Sequence, residues 1–229
     1  MNTAEHAHDV LQTRDFVVDV RYLPQEFGYL ENEIQIKKSR FIARLTRIAS
    51  EDEYKSFIEQ ARKDNHGCRH VCSAAVYRDG GQVITRSSDD GEPSGTAGRP
   101  MLDVLQGSGL MDVAVVVIRY FGGTLLGAGG LVRAYSESTS LVLEGVKRLQ
   151  RVEREVWQLP ISHAEAGRVE SDLRAKGIQV IDVEYGSKAV LNLLIADADQ
   201  ARTLIQDVTN GAGRPEVVGV RTVELPLDK

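Results

Sequence analysis

The strongest constraint on the fold is an unbroken apolar run followed at once by a glycine-rich segment. The run is DVAVVVIRYF, residues 112–121, and the segment after it is GGTLLGAGGLV, residues 122–132. Apolar residues without alternation are typical of a strand buried on both faces. Helical spacing follows, so the sequence predicts a strand, a tight turn and a long helix. The apolar stripe of that helix comprises Leu131, Ala134, Tyr135, Leu141, Val142, Val146 and Leu149.

Alternation and capping signals predict the elements on the N-terminal side of this strand. Residues 31–49 alternate well enough for one or two strands, with an apolar face of Phe41, Ala43 and Leu45 and an opposite basic stripe of Lys38, Arg40 and Arg44. Ser50 and Glu53 form a capping box that begins a helix over 51–63. Residues 71–78 and 82–88 read as a hairpin turning at Gly80 and Gly81. Pro100 fits the first turn of a further helix.

The second half of the chain shows a different order of elements. Strands are predicted at 154–161, 178–186, 187–196 and 216–225, with helices at 163–177 and 197–210. The order β-α-β-β-α-β is that of ferredoxin-like domains. We therefore expect an α+β protein with a mobile tail at 1–14 and domains at 15–150 and 151–229, joined by the polar link LQRVERE.

Bulk composition restricts the class of protein. Charged residues make up 27% of the chain and the net charge is −5, which argues against a uniformly basic nucleic-acid protein but allows a local basic patch. There is no apolar run of membrane-spanning length and no secretory signal pattern. Cys68 and Cys72 are the two cysteines, which favours a reducing compartment. We expect a cytoplasmic protein without membrane contact.

The glycine-rich segment 122–132 has two interpretations. Gly122, Gly123, Gly127, Gly129 and Gly130 allow backbone N–H groups to approach an anion at the start of a helix. The segment lacks the ending of a P-loop, and Val132 stands where a dinucleotide-binding motif needs its last glycine. The alternative is a tight turn with close packing.

The run RSSDDGEPSGTAGRP, residues 86–100, carries reactive side chains on glycine-rich backbone. Asp89, Asp90 and Glu92 are candidates for cation binding or for acid–base chemistry. Ser94 and Thr96 are candidate nucleophiles, although neither lies in a nucleophile elbow. Turn chemistry, with Thr96 capping the next helix, is the structural alternative. Glycine at 91, 95 and 98 exceeds what a turn needs, so Gly95, Thr96 and Gly98 are candidates for ligand binding.

A third cluster spaces His66, Cys68, His70 and Cys72 two residues apart. On a strand the first and last of these lie roughly 20 Å apart, so the four cannot converge on one zinc ion. One His–Cys pair with Asp89 or Asp90 as a chelate, a Cys72–His catalytic dyad, and a half-buried Cys72 beside edge histidines remain open. No metal site is predicted.

Cationic residues near the glycine-rich segment suggest a basic patch beside an aromatic residue. Arg119, Tyr120 and Arg133 flank it, and Lys38, Arg40 and Arg44 add positive charge. Such residues suit phosphate or RNA binding. Solvated strand ends with salt bridges to nearby acids are an equal alternative.

Four segments together resemble the IMPACT family, bacterial YigZ-like branch. They are SRFIARL, HVCSAAV, SDDGEPSGTAGRP and VVVIRYFGGTLLGAGGLVRAY, in this order over residues 39–135. The resemblance implies an N-terminal domain like domain two of ribosomal protein S-five. It also implies a C-terminal domain like domains III and V of elongation factor G. Eukaryotic members act in translational control. Both domain types are associated with ribosomal proteins and translation factors, so the resemblance implies RNA, the ribosome or a translation factor as the partner.

Three hypotheses follow from the sequence and the resemblance. The first is a non-enzymatic regulator or accessory factor linked to translation, with no DNA specificity and no cofactor. The second is a hydrolase or transferase acting on a small phosphorylated or peptide-like ligand, with Asp89, Asp90, Glu92, Ser94 and Cys72 as catalytic candidates. The third treats both glycine segments as architectural. For binding, the candidates are Lys38, Arg40, Gly95, Thr96, Gly98, Arg119, Tyr120, Gly122, Gly123, Gly127, Gly129, Gly130 and Arg133.

Overall fold

The computed structural model describes residues 21–22, 28–144 and 146–227. They divide into two units. The N-terminal unit takes the described residues up to 151 together with 225–227, and the C-terminal unit takes 152–224. The tail predicted at 1–14 lies outside the described residues.

The N-terminal unit alternates strands and helices. In chain order its elements are β1 (Arg21–Tyr22), β2 (Leu30–Ile36), β3 (Ser39–Arg47), α1 (Glu51–Asp64), β4 (His70–Asp79), β5 (Gln82–Ser88), α2 (Gly98–Ser108), β6 (Val113–Tyr120) and α3 (Ala128–Leu143). The sheet has the order β2-β3-β6-β4-β5, and every neighbouring pair is antiparallel.

Strand β6 lies in the middle of this sheet, with both faces covered. Val113, Val115 and Val117 belong to the core under α2 and α3. Ala114 packs with Tyr54 of α1, and Ile118 packs with Ala61 of the same helix. The expectation of a strand buried on both faces is therefore confirmed.

Local sequence signals position the neighbouring elements. The Ser50 hydroxyl accepts a hydrogen bond from the Glu53 N–H, and the Glu53 carboxylate accepts one from the Ala49 N–H, so the two side chains act as a capping box at the start of α1. Asp79 pairs with Gln82, so Gly80 and Gly81 form a two-residue hairpin turn. Both glycines have positive φ, which glycine adopts readily.

Two predictions about the end of this unit are wrong. Helix α3 ends at Leu143, so Val146 and Leu149 do not belong to its apolar stripe. The segment LQRVERE is the first half of β7 (Leu149–Ile161) rather than a link. Its alternating polar residues have the period of a strand exposed on one face, which resembles a linker in composition.

The C-terminal unit continues with α4, β8, β9, α5 and β10. Their bounds are α4 (His163–Ala175), β8 (Gln179–Tyr185), β9 (Ala189–Ile195), α5 (Ala198–Val208) and β10 (Glu216–Pro226). Strand β9 lies between β7 and β8, and β10 pairs with β7. Trp157, Leu159 and Leu191 of the sheet pack with Val169 of α4 and Ile205 of α5. Among the described helices, none combines the length and apolar character needed to cross a membrane.

Candidate functional site

Asp89 fixes the start of helix α2. Its carboxylate accepts hydrogen bonds from the backbone N–H groups of Gly95, Ala97 and Gly98 over 2.8–3.0 Å. Burial alone would raise the pKa of Asp89, but these three bonds together hold it below the ordinary value of an aspartate. The carboxylate is therefore ionised and engaged within the loop.

The predicted role of Thr96 as a helix cap is wrong. Its hydroxyl donates to the Pro93 carbonyl oxygen over 2.6 Å, and helix α2 has no capping bond from its own N-cap residue, Ala97. Asp89 supplies the cap from eight residues before Ala97. A cap that comes from across a loop leaves no local pattern in the sequence.

Asp90 ties the same loop to strand β4 and helix α1. One carboxylate oxygen accepts from the Val71 N–H over 2.6 Å, and the other accepts from Arg62 over 2.8 Å. The Asp90 carbonyl oxygen lies 2.8 Å from Nδ1 of His70. Both aspartates thus hold the loop in position.

Glu92 points inward and joins a buried chain of polar groups. Arg119 donates to its carboxylate over 2.5 Å, and only 7% and 3% of the two side chains are exposed. The Tyr135 hydroxyl donates to the same oxygen over 2.8 Å. Arg119 is therefore internally paired through Nη1, whereas its Nε is buried and meets no acceptor among the described residues.

Cys72 lies at the far end of this chain and is fully buried. Its thiol is 3.3 Å from the Tyr135 hydroxyl and 3.0 Å from the Asp89 carbonyl oxygen. Burial raises the pKa of Cys72 to about 12; the hydrogen bond with Tyr135 opposes this rise, and the nearby carboxylates add to it. Neither atom near the thiol belongs to His70, so the described contacts contain no Cys72–His70 dyad.

A pocket lies where the two glycine-bearing segments meet. Its volume is about 420 Å³, and its wall combines charged groups with apolar ones. The lining includes Arg69, His70, Glu92, Arg119, Phe121 and Leu125. The loop 86–100 contributes Glu92, and the segment 119–135 contributes the arginine, the phenylalanine and the start of helix α3. The two segments are therefore neighbours in space, although residues 101–118 separate them in the sequence.

Helix α3 begins at the wall of this pocket. Its N-cap residue, Gly127, has φ 73° and provides no side chain to cap the helix. Gly127 and Ala128 both line the pocket. Gly129 and Gly130 continue the first turn, so unshielded backbone N–H groups and the positive end of the helix dipole lie at this place.

Two other glycines have a packing role that the structure makes visible. A Cβ on Gly122 would lie 2.0 Å from the carbonyl carbon of Lys38, and a Cβ on Gly98 would lie 2.7 Å from the Ser88 backbone. Only glycine allows chains to approach so closely. Gly123, by contrast, is exposed and crowds nothing.

Two arginines of the proposed basic stripe pair with nearby acids. Arg40 forms a two-pronged ion pair with Glu33. Arg44 is buried and pairs with Glu31 and Asp64. Lys38 lies in the turn between β2 and β3. The salt-bridge alternative therefore describes Arg40 and Arg44, because the acids that pair with them come from β2 and α1.

Several of the residues that the sequence predicted for binding lie outside the pocket lining. Lys38, Arg40, Tyr120 and Arg133 do not line it. Tyr120 donates to the Asn65 side chain over 3.2 Å, and Arg40 stacks on its ring. Arg133 is exposed on α3, and Ser94 is exposed in the loop. Within the described residues no three His, Cys, Asp or Glu side chains gather as a metal site would need.

Sequence reasoning missed Arg69, Phe121 and Leu125 as wall residues. The guanidinium groups of Arg69 and Arg119 lie 5.8 Å and 5.7 Å from the centre of the Phe121 ring. Leu125 is 82% exposed and Phe121 is 40% exposed. Two large apolar residues beside glycines in a loop were the available signal, because apolar residues grouped at a surface mark interaction sites.

Comparison with known proteins decides the family. A Bacillus subtilis protein described as IMPACT family member YvyE is 40% identical over 172 residues, which cover 74% of this chain and 77% of that protein. The chain belongs to the IMPACT family. The resemblance seen in the sequence is thereby confirmed.

Other comparisons agree with membership of the IMPACT family. Escherichia coli YigZ is 36% identical over 73% of this chain and 82% of its own length, and a Haemophilus influenzae IMPACT family member is 35% identical over 73% and 81%. The Impact N-terminal domain matches residues 37–143, a span that contains the whole pocket, and a domain of unknown function, DUF1949, matches residues 159–212. A crystal structure described as a hypothetical protein aligns with a TM-score of 0.53 at 28% identity, covering 87% of this chain and 97% of that one.

Proposed function

We propose that this IMPACT family protein is a non-enzymatic accessory or regulatory factor of translation in the cytoplasm. It binds RNA, free or within the ribosome, through the surface around the pocket. The translational link comes from the family resemblance, and the RNA-binding role comes from the chemistry of the wall.

The observation that carries this proposal is the meeting of the two signature segments, residues 86–100 and 119–135, at one pocket that offers cations and backbone amides. Arg69 is exposed and Arg119 is buried, and both line the pocket together with Gly127 and Ala128 at the start of helix α3. Arginines and helix N-termini are common partners of phosphate groups. An overall charge of −5 does not oppose such binding, because a local field decides the approach of a charged ligand.

The reactive side chains of the loop support binding over catalysis. Asp89 and Asp90 are used to hold the loop, and Cys72 is buried with a pKa of about 12. A thiol nucleophile needs access and a lowered pKa. The alternative, a hydrolase or transferase acting on a small phosphorylated or peptide-like ligand, loses its best-placed nucleophile in this geometry.

The finer assignment of the two folds is also a proposal. For the C-terminal domain, residues 151–229, we propose the ferredoxin-like fold, as in domains III and V of elongation factor G. The chain order β-α-β-β-α-β and the place of β9 between β7 and β8 support it. For residues 15–150 we propose the fold of domain two of ribosomal protein S-five. A sheet with α1 on one face and α2 with α3 on the other is compatible with that fold.

Co-sedimentation with ribosomes, with and without ribonuclease, tests the proposal. The variant is Arg69→Ala with Arg133→Ala. Arg69 lines the pocket, and Arg133 is exposed on α3 two residues after Leu131, which also lines it. The structure shows no ion pair of either arginine among the described residues. The matched control is Arg99→Ala with Arg168→Ala, which removes the same charge from exposed helix surfaces. We expect the first variant to lose association and the control to keep it.

Two outcomes would overturn the proposal. Equal sedimentation of both variants would remove the pocket surface from the interaction. Association that survives complete digestion of the RNA would point to a protein, such as a translation factor, as the partner.

A further inference from the structure

We infer that the pocket holds one nucleotide at the end of an RNA chain, with the terminal phosphate on Arg119 and the base against Phe121 and Leu125. This inference rests on the proposed function and narrows it from RNA in general to an RNA end.

The size of the pocket sets the size of the ligand. About 420 Å³ lies near the lower end of the ~300–1,000 Å³ range of small-molecule pockets. One nucleotide fits that range, whereas a strand passing through needs room for its neighbours on both sides. A terminal nucleotide has one neighbour only, so its chain can leave by the mouth of the pocket.

The charged wall suits a phosphate with more than one negative charge. Arg119 lines the pocket, its side chain is 7% exposed, and its buried Nε has no acceptor among the described residues. Buried donors without partners are rare in folded proteins and call for a ligand or another explanation. The amides at the start of α3 lie in the same wall, and Arg69 adds a second cation at the rim. A terminal phosphate carries about −1.5 to −2 charge at neutral pH, against about −1 for a phosphodiester inside the chain.

The apolar part of the lining suits a base. Phe121 is 40% exposed and Leu125 is 82% exposed, and both line the pocket. Bases of unpaired RNA stack on aromatic rings and on arginine planes. Phe121 already lies beside two guanidinium groups, so a base placed there meets a surface of the required kind.

Glu92 competes with the phosphate for the guanidinium group of Arg119. It holds Arg119 over 2.5 Å and is the acidic member of the six wall residues named above. A phosphate that approaches Arg119 is repelled by this carboxylate and must share the guanidinium with it. Removal of the negative charge, with an acceptor kept for Arg119 and Tyr135, should therefore strengthen binding of a phosphate-bearing end.

The test is equilibrium binding of one short single-stranded RNA in three forms. The forms carry a 5′-phosphate, a 3′-phosphate or hydroxyl groups at both ends, and fluorescence anisotropy of an internal label reports binding. We expect one phosphate-bearing form to bind on the order of tenfold more tightly than the hydroxyl form. Equal binding of all three overturns this inference and leaves the proposed function standing. No binding of any form contradicts both.

Variants sharpen the test. We expect Glu92→Gln to tighten binding of the phosphate-bearing form several-fold and to leave the hydroxyl form unchanged. Glu33→Gln removes the same charge from the exposed pair with Arg40 and is expected to change neither. A Glu92→Gln protein that binds phosphate-bearing RNA no better than the native protein would overturn the competition between Glu92 and the ligand.

A second variant tests the apolar part of the pocket. Leu125→Ala cannot disturb the core, because Leu125 is 82% exposed, and it should weaken the binding of all three RNA forms. Val83→Ala, at a residue of β5 that is 57% exposed, should leave the binding of all three unchanged.

Competition with small molecules tests the base contact separately. A nucleoside monophosphate should displace the RNA at lower concentration than inorganic phosphate or the nucleoside alone. Equal displacement by inorganic phosphate would overturn the role of Phe121 and Leu125.

Discussion

Arg119 and Glu92 form an ion pair that is almost completely removed from solvent. One partner is the next-to-last residue of the central strand β6, and the other lies in the loop before α2. The pair joins the two signature segments at the wall of the pocket, so it serves both the fold and the site.

Removal of one side chain of the Arg119–Glu92 pair should lower the stability of the fold. We expect Arg119→Ala to lower the free energy of unfolding by about 3–5 kcal/mol, because it leaves the Glu92 carboxylate buried without its cation. Urea unfolding measures the effect, and Arg40→Ala, which breaks an exposed pair, is the control with little expected change. The double change Arg119→Ala with Glu92→Ala should cost less than the sum of the single changes. Additive costs would mean that the two charges do not stabilise each other.

Asp89 should make stability depend on pH in the acid range. Its pKa is lower in the folded protein than in the unfolded chain, so its contribution is complete above the unfolded pKa of about 4. The contribution is lost as the pH falls through the lower folded pKa. We expect Asp89→Ala to cost roughly 1 kcal/mol at neutral pH and to flatten this part of the profile. Urea midpoints between pH 2 and pH 6 measure it, with Asp103→Ala, exposed on α2, as the control. A profile with the native slope in Asp89→Ala would contradict the assignment.

Cys72 should be unreactive in the folded protein. It is fully buried with a pKa of about 12, whereas Cys68 is half-buried. Maleimide labelling near pH 8 should modify only Cys68, and urea should expose the second thiol. Cys72→Ser should keep RNA binding. Fast labelling of native Cys72 would reopen the hypothesis of a thiol enzyme.

Replacing glycines of the segment 119–135 with alanine should lower stability where the backbone is closely packed and raise it where a Cβ has room. Gly122→Ala should destabilise the fold strongly, since its Cβ would meet the Lys38 carbonyl carbon at 2.0 Å. Gly129→Ala should stabilise it by about 0.5–1 kcal/mol, because Gly129 is helical and a Cβ there meets nothing within 4 Å. Thermal melts of the two variants give the comparison. A loss of stability in Gly129→Ala would favour the purely architectural hypothesis.

The sequence predicts those parts of the fold that depend on neighbours in the chain. Ser50 with Glu53 and the Gly80–Gly81 turn are local signals, and both form as expected. Thr96 fails as a cap because Asp89 reaches the same amides from across the loop. Arg44 looks like an exposed basic residue, and its burial depends on Glu31 and Asp64, which come from other elements. The pairing of Arg119 with Glu92 is of the same kind, since no spacing rule joins a strand end to a distant loop.

The salt dependence of RNA binding tests the central claim most directly. Binding of a single-stranded RNA is measured against salt concentration for the native protein, for Arg69→Ala with Arg133→Ala, and for Arg99→Ala with Arg168→Ala. If the pocket surface holds phosphates, the first double variant should bind more weakly and its slope should fall by about one for each arginine lost. The control should keep the native slope. Identical slopes in all three proteins would contradict the claim that the two signature segments form an RNA-binding surface.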